Sequence, residues 1–438
     1  MQTQIPKLFM LRLVSHRSRA ASLCLLAGMA ATATLAGQDS STLKSTSLQS
    51  AKAAVLNGAR EKVLWQRTMS ALTVPSKGCH KATYPAIQWV TVPCINGIQK
   101  LRTSPRPRQQ LSAGGDSQDF AATRPAGSSS TITQAQGSFD SVITTGETNR
   151  SAGPNPVDTR RSEFELQLNT NTFNTPMCGA VKGCVGWEQF LLENDPGSPP
   201  TMLQIQSWLL GFASPGNPCP TGWATSGSDC AFTTPAVSVN TQNIASLVPL
   251  VMTAKAELNG TDTVSISGTG EDVIYAFNAD SLLNLAPNWT TAEFNVFGDQ
   301  SRHIAVFDPG STLVVRVTTT IADGSTPVPI LVGLTGESNN LNLVKPACSI
   351  ASPFFAVTFK ETNLAGSSYP CPANPPVQNL CADATEEVAY DQKALANAEQ
   401  ARTSQRCLGP ASFNCEQAVK SLQQKLVHDE ATKAKACK

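Results

Sequence analysis

Between Cys184 and Leu210, polar and apolar residues alternate in two runs separated by the turn Asn194-Asp195-Pro196-Gly197-Ser198-Pro199-Pro200. Alternation of this kind has the period of a β-strand, whose successive side chains point to opposite faces. The stretch therefore predicts two strands joined by the turn. In the second run Gln204, Gln206 and Trp208 share one face, while Leu203, Ile205 and Leu209 share the other. In the first run Trp187 and Gln189 alternate with Gly186, Glu188 and Phe190, adding an indole and an amide to the wet side. The expected product is a sheet with a dry face and an open groove of amides and indoles. Such a groove suits an extended polymer, peptide or glycan.

The same period runs from Ile132 to about Glu361. Phe164, Leu166 and Leu168 alternate with Glu163, Glu165 and Gln167, Val264 and Ile266 with Ser265 and Ser267, and Leu313, Val315 and Val317 with Val314, Arg316 and Thr318. Asn259-Gly260 marks a tight hairpin. A succession of roughly a dozen short strands predicts a mainly β fold, an antiparallel β-sandwich over residues 132–376 in which each sheet buries one face. Ile244 to Ala256 departs from the pattern, and reads either as a turn leading into a fully buried strand or as a short helix.

On either side the composition changes. Residues 1–37 have the form of a secretory signal: Lys7, Arg12, Arg17 and Arg19 precede the apolar run from Ala20 to Ala31, and Thr34-Leu35-Ala36 offers small residues for cleavage. That run is too short for a comfortable membrane span, so the expected product is secreted or periplasmic and not an integral membrane protein after cleavage. Residues 38–76 read as a helical leader or propeptide, with Val55, Ala59 and Val63 at four-residue spacing. A small stapled module follows at 77–98, its expected strand running from Ile87 to Val92, and then a disordered linker at 99–131, rich in Ser, Gly and Pro. Arg102, Arg106 and Arg108 make that linker a candidate for proteolytic processing, or simply an exposed hinge. Residues 377–438 carry two stretches of good helix formers, Asp383 to Arg402 and Glu416 to Lys435, parted by Leu408-Gly409-Pro410, and predict a helical hairpin.

Cysteine sets the compartment. Of 13 cysteines, Cys24 lies in the signal, and the rest are even in number, as disulfides in an oxidising destination require. Spacing proposes Cys79 with Cys94, Cys178 with Cys184, Cys219 with Cys230 and Cys348 with Cys371. In an antiparallel helix pair, Cys381 with Cys437 and Cys407 with Cys415 lie at matching heights. With four histidines and no paired C-x-x-C, no metal site is expected, and no cofactor motif is present. Basic and acidic residues balance at 33 and 32, so nothing in the charge favours nucleic acid or an anionic membrane.

No nucleophile elbow, H-E-x-x-H or phosphate loop occurs, which leaves carboxylates and amides on strands as the groups able to carry chemistry. In Ala292-Glu293-Phe294-Asn295-Val296-Phe297-Gly298-Asp299, alternation puts Glu293, Asn295, Phe297 and Asp299 on one face and Phe294 and Val296 on the core side. A carboxylate facing an amide across a groove activates water while the amide N–H groups hold the developing oxyanion. The same pattern also describes solvated residues of an ordinary sheet.

The strand order, Trp187 near the start of one strand, Leu203-Gln204 on the next and Ala292-Glu293-Phe294 late in the domain resemble the eqolisins, secreted acid-acting glutamic endopeptidases. The resemblance implies a lectin-like, concanavalin A-like sandwich and matches the catalytic Gln of that family to Gln204. The family's glutamate falls four residues beyond Glu293, at Phe297, where this chain departs from the pattern. Glu293 keeps the same strand face about 13 Å away. Residues Leu166 to Phe173 and Ala292 to Asp299 also resemble a group of secreted microbial proteins of no known activity. Two functions follow as expectations. One is a non-catalytic extracellular protein binding a peptide or glycan polymer through Trp187, Gln189, Gln206 and Trp208. The other is an acid endopeptidase with Glu293 as general base and Gln204 as oxyanion donor. The first is favoured because of Phe297.

Overall fold

A computed structural model describes residues 58, 60–97, 119–151, 158–197, 200–270, 273–298, 303–332, 338–351, 355–372, 377–403 and 412–437. The signal at 1–37, Arg102, Arg106 and Arg108, Asp299, Cys407 and the expected helix break at Leu408-Gly409-Pro410 lie outside them.

Two large sheets carry the fold. The first runs in the order β2 (Val90–Val92), β1 (Gly78–Thr83), β15 (Val273–Asp280), β14 (Thr261–Ser267), β13 (Val251–Ala256), β4 (Ile132–Ile143), β18 (Thr312–Ile321), β22 (Ala356–Thr362) and β21 (Asn342–Ile350). The second runs β10 (Ala224–Ser226), β11 (Asp229–Thr233), β9 (Met202–Leu210), β8 (Val185–Asn194), β7 (Phe164–Thr170), β16 (Thr291–Phe297), β3 (Asp119–Thr123) and β19 (Val328–Val332), with β12 (Val237–Ser238) also on β9. A smaller sheet holds β20 (Ser338–Asn339), β17 (His303–Phe307), β5 (Glu147–Ser151) and β6 (Asp158–Arg161). Every described pairing is antiparallel except β17 with β20.

The alternation read from the sequence decides which faces meet. Leu166, Leu168, Leu203, Ile205, Leu209, Phe294 and Val296 of the second sheet join Val264, Ile266, Leu313, Val315 and Val317 of the first in one buried apolar core. Phe139 of β4 packs on Phe294 of β16 with ring centroids 5.3 Å apart, and Phe120 of β3 on Phe359 of β22 at 5.9 Å. Contact at Phe294 is so close that a Cβ on Gly137 would sit 2.0 Å from its ring. Only glycine fits there.

Several local expectations meet their outcome here. Ile244–Ser246 forms a 3-10 turn, capped by Asn243, that leads into β13, so the first of the two alternatives holds. Asn259, with φ 54°, takes the left-handed turn position between β13 and β14. Within the span read as linker, Asp119–Thr123 is a strand, because Phe120 finds an apolar partner in the other layer. The stapled segment at 77–98 contributes β1 and β2, and β1 pairs with β15 along its whole length. A two-stranded unit with too little core of its own thereby extends a large sheet.

A second core lies on the outer side of β1 and β15. Residues 60–71 are helical (α1), and the chain ends in α2 (Val377–Thr403) and α3 (Ser412–Ala436). Trp65, Met69 and Leu72 of the leader bury against Ile274 and Ala276 of β15, Ala394 of α2 and Leu422 of α3. This corrects the apolar stripe read from Val55, Ala59 and Val63: Val63 is 45 % exposed, and the buried stripe runs through Trp65 and Met69 one turn apart. The three helices are tied by Lys425, which reaches Asp391 at 2.6 Å and Glu387 at 3.3 Å, and by the Thr68 hydroxyl donating to Asp391 at 2.9 Å.

Disulfides join Cys79 to Cys94, Cys178 to Cys184, Cys219 to Cys230, Cys348 to Cys371 and Cys381 to Cys437, as the spacing predicts. Cys415 is also disulfide-bonded, and its expected partner Cys407 is outside the described residues. Among the described residues no helix is long and apolar enough to cross a membrane.

Candidate functional site

Pairing registers across β9, β8, β7 and β16 align polar residues into rows on the face of the second sheet turned away from the core. Gln206 lies opposite Gln189, Gln189 opposite Asn169, and Asn169 opposite Glu293. One step along, Gln204, Leu191, Gln167 and Asn295 form the next row, and beyond it Met202, Glu193, Glu165 and Phe297. On the other side, Trp208 stands opposite Trp187, their rings 6.1 Å apart.

These side chains hydrogen-bond one another almost continuously. The Trp208 indole N–H donates to Gln189 Oε1 and Gln206 Oε1, each at 3.0 Å. Gln189 Nε2 donates to Gln167 Oε1 and Asn169 Oδ1, also at 3.0 Å. Asn169 Nδ2 reaches Glu293 Oε2 at 2.9 Å, and Gln167 Nε2 reaches Glu165 Oε2 at 2.9 Å. Gln206 Nε2 ends the chain on the Thr233 hydroxyl at 2.9 Å, and the Trp187 N–H is fixed by the Thr170 carbonyl at 2.9 Å. Each bond holds an amide in one orientation. The network thus presents a fixed pattern of donors and acceptors instead of a set of mobile side chains.

Of the residues expected to bind, the structure brings Trp187, Gln189, Gln206 and Trp208 together. It does not bring the expected catalytic pair together. Gln204 and Glu293 stand on strands three pairings apart and in different rows, about 14 Å across the sheet. No single water bridges that gap. Phe297 is buried, and directly opposite it on β7 stands a carboxylate, Glu165, which sequence reasoning placed on this face without giving it a role.

The expectation of an open groove is corrected outright. Gln189, Gln204, Gln206, Trp187 and Trp208 are all 0 % exposed, and Glu293 is 1 % exposed. Alternation reports which side of a strand is polar, not what lies over that side, and a face whose amides satisfy one another is stable when covered. Part of the cover is visible at Ile95–Gly97. Ile95 exchanges backbone hydrogen bonds with Ala236 at 2.9 and 3.0 Å, and the chain then enters the face at Gly97. A Cβ there would lie 2.1 Å from the Thr234 carbonyl oxygen and 2.8 Å from Gln204 Oε1. Bare backbone already occupies the ground beside Gln204.

A further polar cluster lies where β3, β16, β20 and β22 meet. Asn295 Nδ2 donates to Asp119 Oδ1 at 2.8 Å and to Glu361 Oε2 at 2.9 Å, and Asn339 Nδ2 reaches Glu361 Oε2 at 3.2 Å. Burial, and then the charge of Asp119, push the Glu361 carboxyl well above the usual range, which the two amide donors oppose. Asp119 is remote from Glu361 in sequence, so only the paired sheets reveal this group. Among the described residues no cluster of His, Cys, Asp and Glu is arranged to hold a metal.

No family model and no curated protein matches this chain. Solved structures similar to it include scytalido-glutamic peptidase with a transition state analogue inhibitor, at 11% identity and a TM-score of 0.24, covering 57% of this chain and 98% of that one. The same peptidase with a peptide-based transition state analogue is similar at 10% identity and a TM-score of 0.25, over 58% of this chain and 100% of that one. SCP-B, a member of the eqolisin family in complex with the tripeptide Ala-Ile-His, is similar at 10% identity and a TM-score of 0.22, over 57% and 98%. The likeness is distant.

Proposed function

We propose that this is an exported, lectin-like β-sandwich protein whose amide and indole face binds an extended polypeptide without cleaving it. The observation that carries the reading is the ordered row Gln206, Gln189, Asn169 and Glu293 with Trp208 beside it. Such a row offers alternating donors and acceptors to a main chain laid across the strands, with indoles to cover its side chains. Peptide is favoured over glycan because backbone at Ile95–Gly97 already lies against this face. Disulfides throughout the described fold support an oxidising destination.

Because the face is buried in the intact chain, the test is to nick the chain at Arg102, Arg106 or Arg108, which the sequence offers for processing, and titrate the product with extended peptides and with soluble glycans. Peptide binding weakened at least about tenfold by Trp208→Ala is expected, since a buried aromatic anchor is commonly worth more than 1 kcal/mol. Binding of glycans alone, or peptide binding indifferent to Trp208, would overturn the reading.

One observation favours a second reading, the acid endopeptidase: Glu165 stands across from Phe297 and supplies a carboxylate next to the position where the resemblance expects one. Cleavage of an unfolded substrate by the nicked protein at acid pH, abolished by Glu165→Gln but retained in Glu293→Gln, would support it. Absence of cleavage at any pH leaves binding as the function.

A further inference from the structure

Glu188 lies on the core side of β8, opposite Ser207 of β9, the side from which Phe190 and Leu192 enter the apolar core. A carboxylate has no ordinary place there. Facing it from the other sheet is Asp262 of β14, on the same side of its strand as Val264 and Ile266. Both residues are 1 % exposed, Glu188 Oε2 and both Asp262 oxygens find no donor among the described residues, and each carboxyl acts on the other across the space between the layers. Two carboxylates repel, so a hydrogen bond between them requires that at least one carry a proton.

The surroundings hold that proton in place. Ser207 stands opposite Glu188 on β9, and the further charged group acting on the pair is Glu257, whose negative charge adds to the cost of ionising it. Among the described residues no lysine, arginine or histidine offsets either carboxyl. We propose that Glu188 and Asp262 form a proton-shared clasp that fastens β8 to β14 in acid and loosens the two layers as the pH rises. Burial, more than any neighbour, drives both groups up, Glu188 well above the carboxylate range and Asp262 to about 7. In the unfolded chain both ionise near pH 4, so between that pH and about 7 the folded protein holds more protons than the unfolded one. Stability contributed by the clasp is therefore complete in acid and declines through this window. The proposal is independent of what the amide face binds.

The experiment is a series of melting temperatures from pH 3 to pH 8 for the full chain and for Glu188→Gln and Asp262→Asn, with infrared spectra of the unsubstituted protein. A neutral amide keeps the shape and cannot ionise. The clasp predicts that the melting temperature of the parent falls by roughly 5 °C or more from pH 4 to pH 7, a slope that either substitution flattens markedly. It also predicts a carboxylic-acid C=O band persisting at pH 6. Equal slopes in parent and variants would overturn it. Should a variant fail to fold, the infrared band decides, because its absence at pH 6 means that the pair is ionised and no proton is shared.

Discussion

At Gly137 the account reduces to a few atoms. The Phe294 ring fills the space where a side chain would begin, so Gly137→Ala is expected to destabilise the fold by about 2–3 kcal/mol through overpacking. Phe294→Leu should recover part of that loss in the double variant, while costing stability on its own. Equilibrium unfolding in denaturant measures both, and additive effects would show that the two residues do not share the space. This contact was invisible in the sequence, where Gly137 is one glycine in a polar strand. By contrast, the inward positions of Leu203, Ile205, Leu209, Phe294 and Val296 were legible from alternation alone, because the strand period fixes the side on which each residue lies. What alternation omits is the pairing register. Gln204 was paired with Glu293 through the resemblance alone, and the register shows instead that Gln206 shares the row of Glu293.

Between elements, the leader helix and the terminal hairpin form one packed unit on the first sheet, through Trp65, Met69, Ala394 and Leu422. The unit depends on Lys425, whose ammonium faces three carboxylates, Glu387, Asp391 and Asp429. Burial and then the Asp429 carboxyl push Asp391 up to about 6, against the pull of Lys425, while the three carboxylates together raise Lys425 despite its burial. Lys425→Met is expected to cost about 3 kcal/mol at neutral pH, by stranding a fully buried aspartate. The loss should shrink as the pH falls through about 6 and Asp391 takes up a proton. Backbone hydrogen exchange in α1, α2 and α3 reads this locally, and a pH-independent loss would contradict it. Sequence composition located the hairpin to within a few residues at most ends, and its disulfide rung as well. The partner helix α1 was misread in phase because its buried residues are large and few, and Val63 carried the apparent stripe outward.

For the whole molecule, both a covered polar face and a buried carboxyl pair are products of layering. Each depends on what packs over a strand, and no single strand records that. The sequence put the amide and indole residues on one face but placed water where chain lies, at Gly97. An uncovered face would leave the indoles of Trp187 and Trp208 open, whereas both are fully buried. The most direct measurement is hydroxyl-radical footprinting of Trp187 and Trp208 by mass spectrometry, on the intact chain, after nicking between Gly97 and Asp119, and after adding an extended peptide. The account predicts protection, then oxidation of both indoles, then protection restored by the peptide. Indoles that stay protected after nicking, or that the peptide fails to shield, would contradict it.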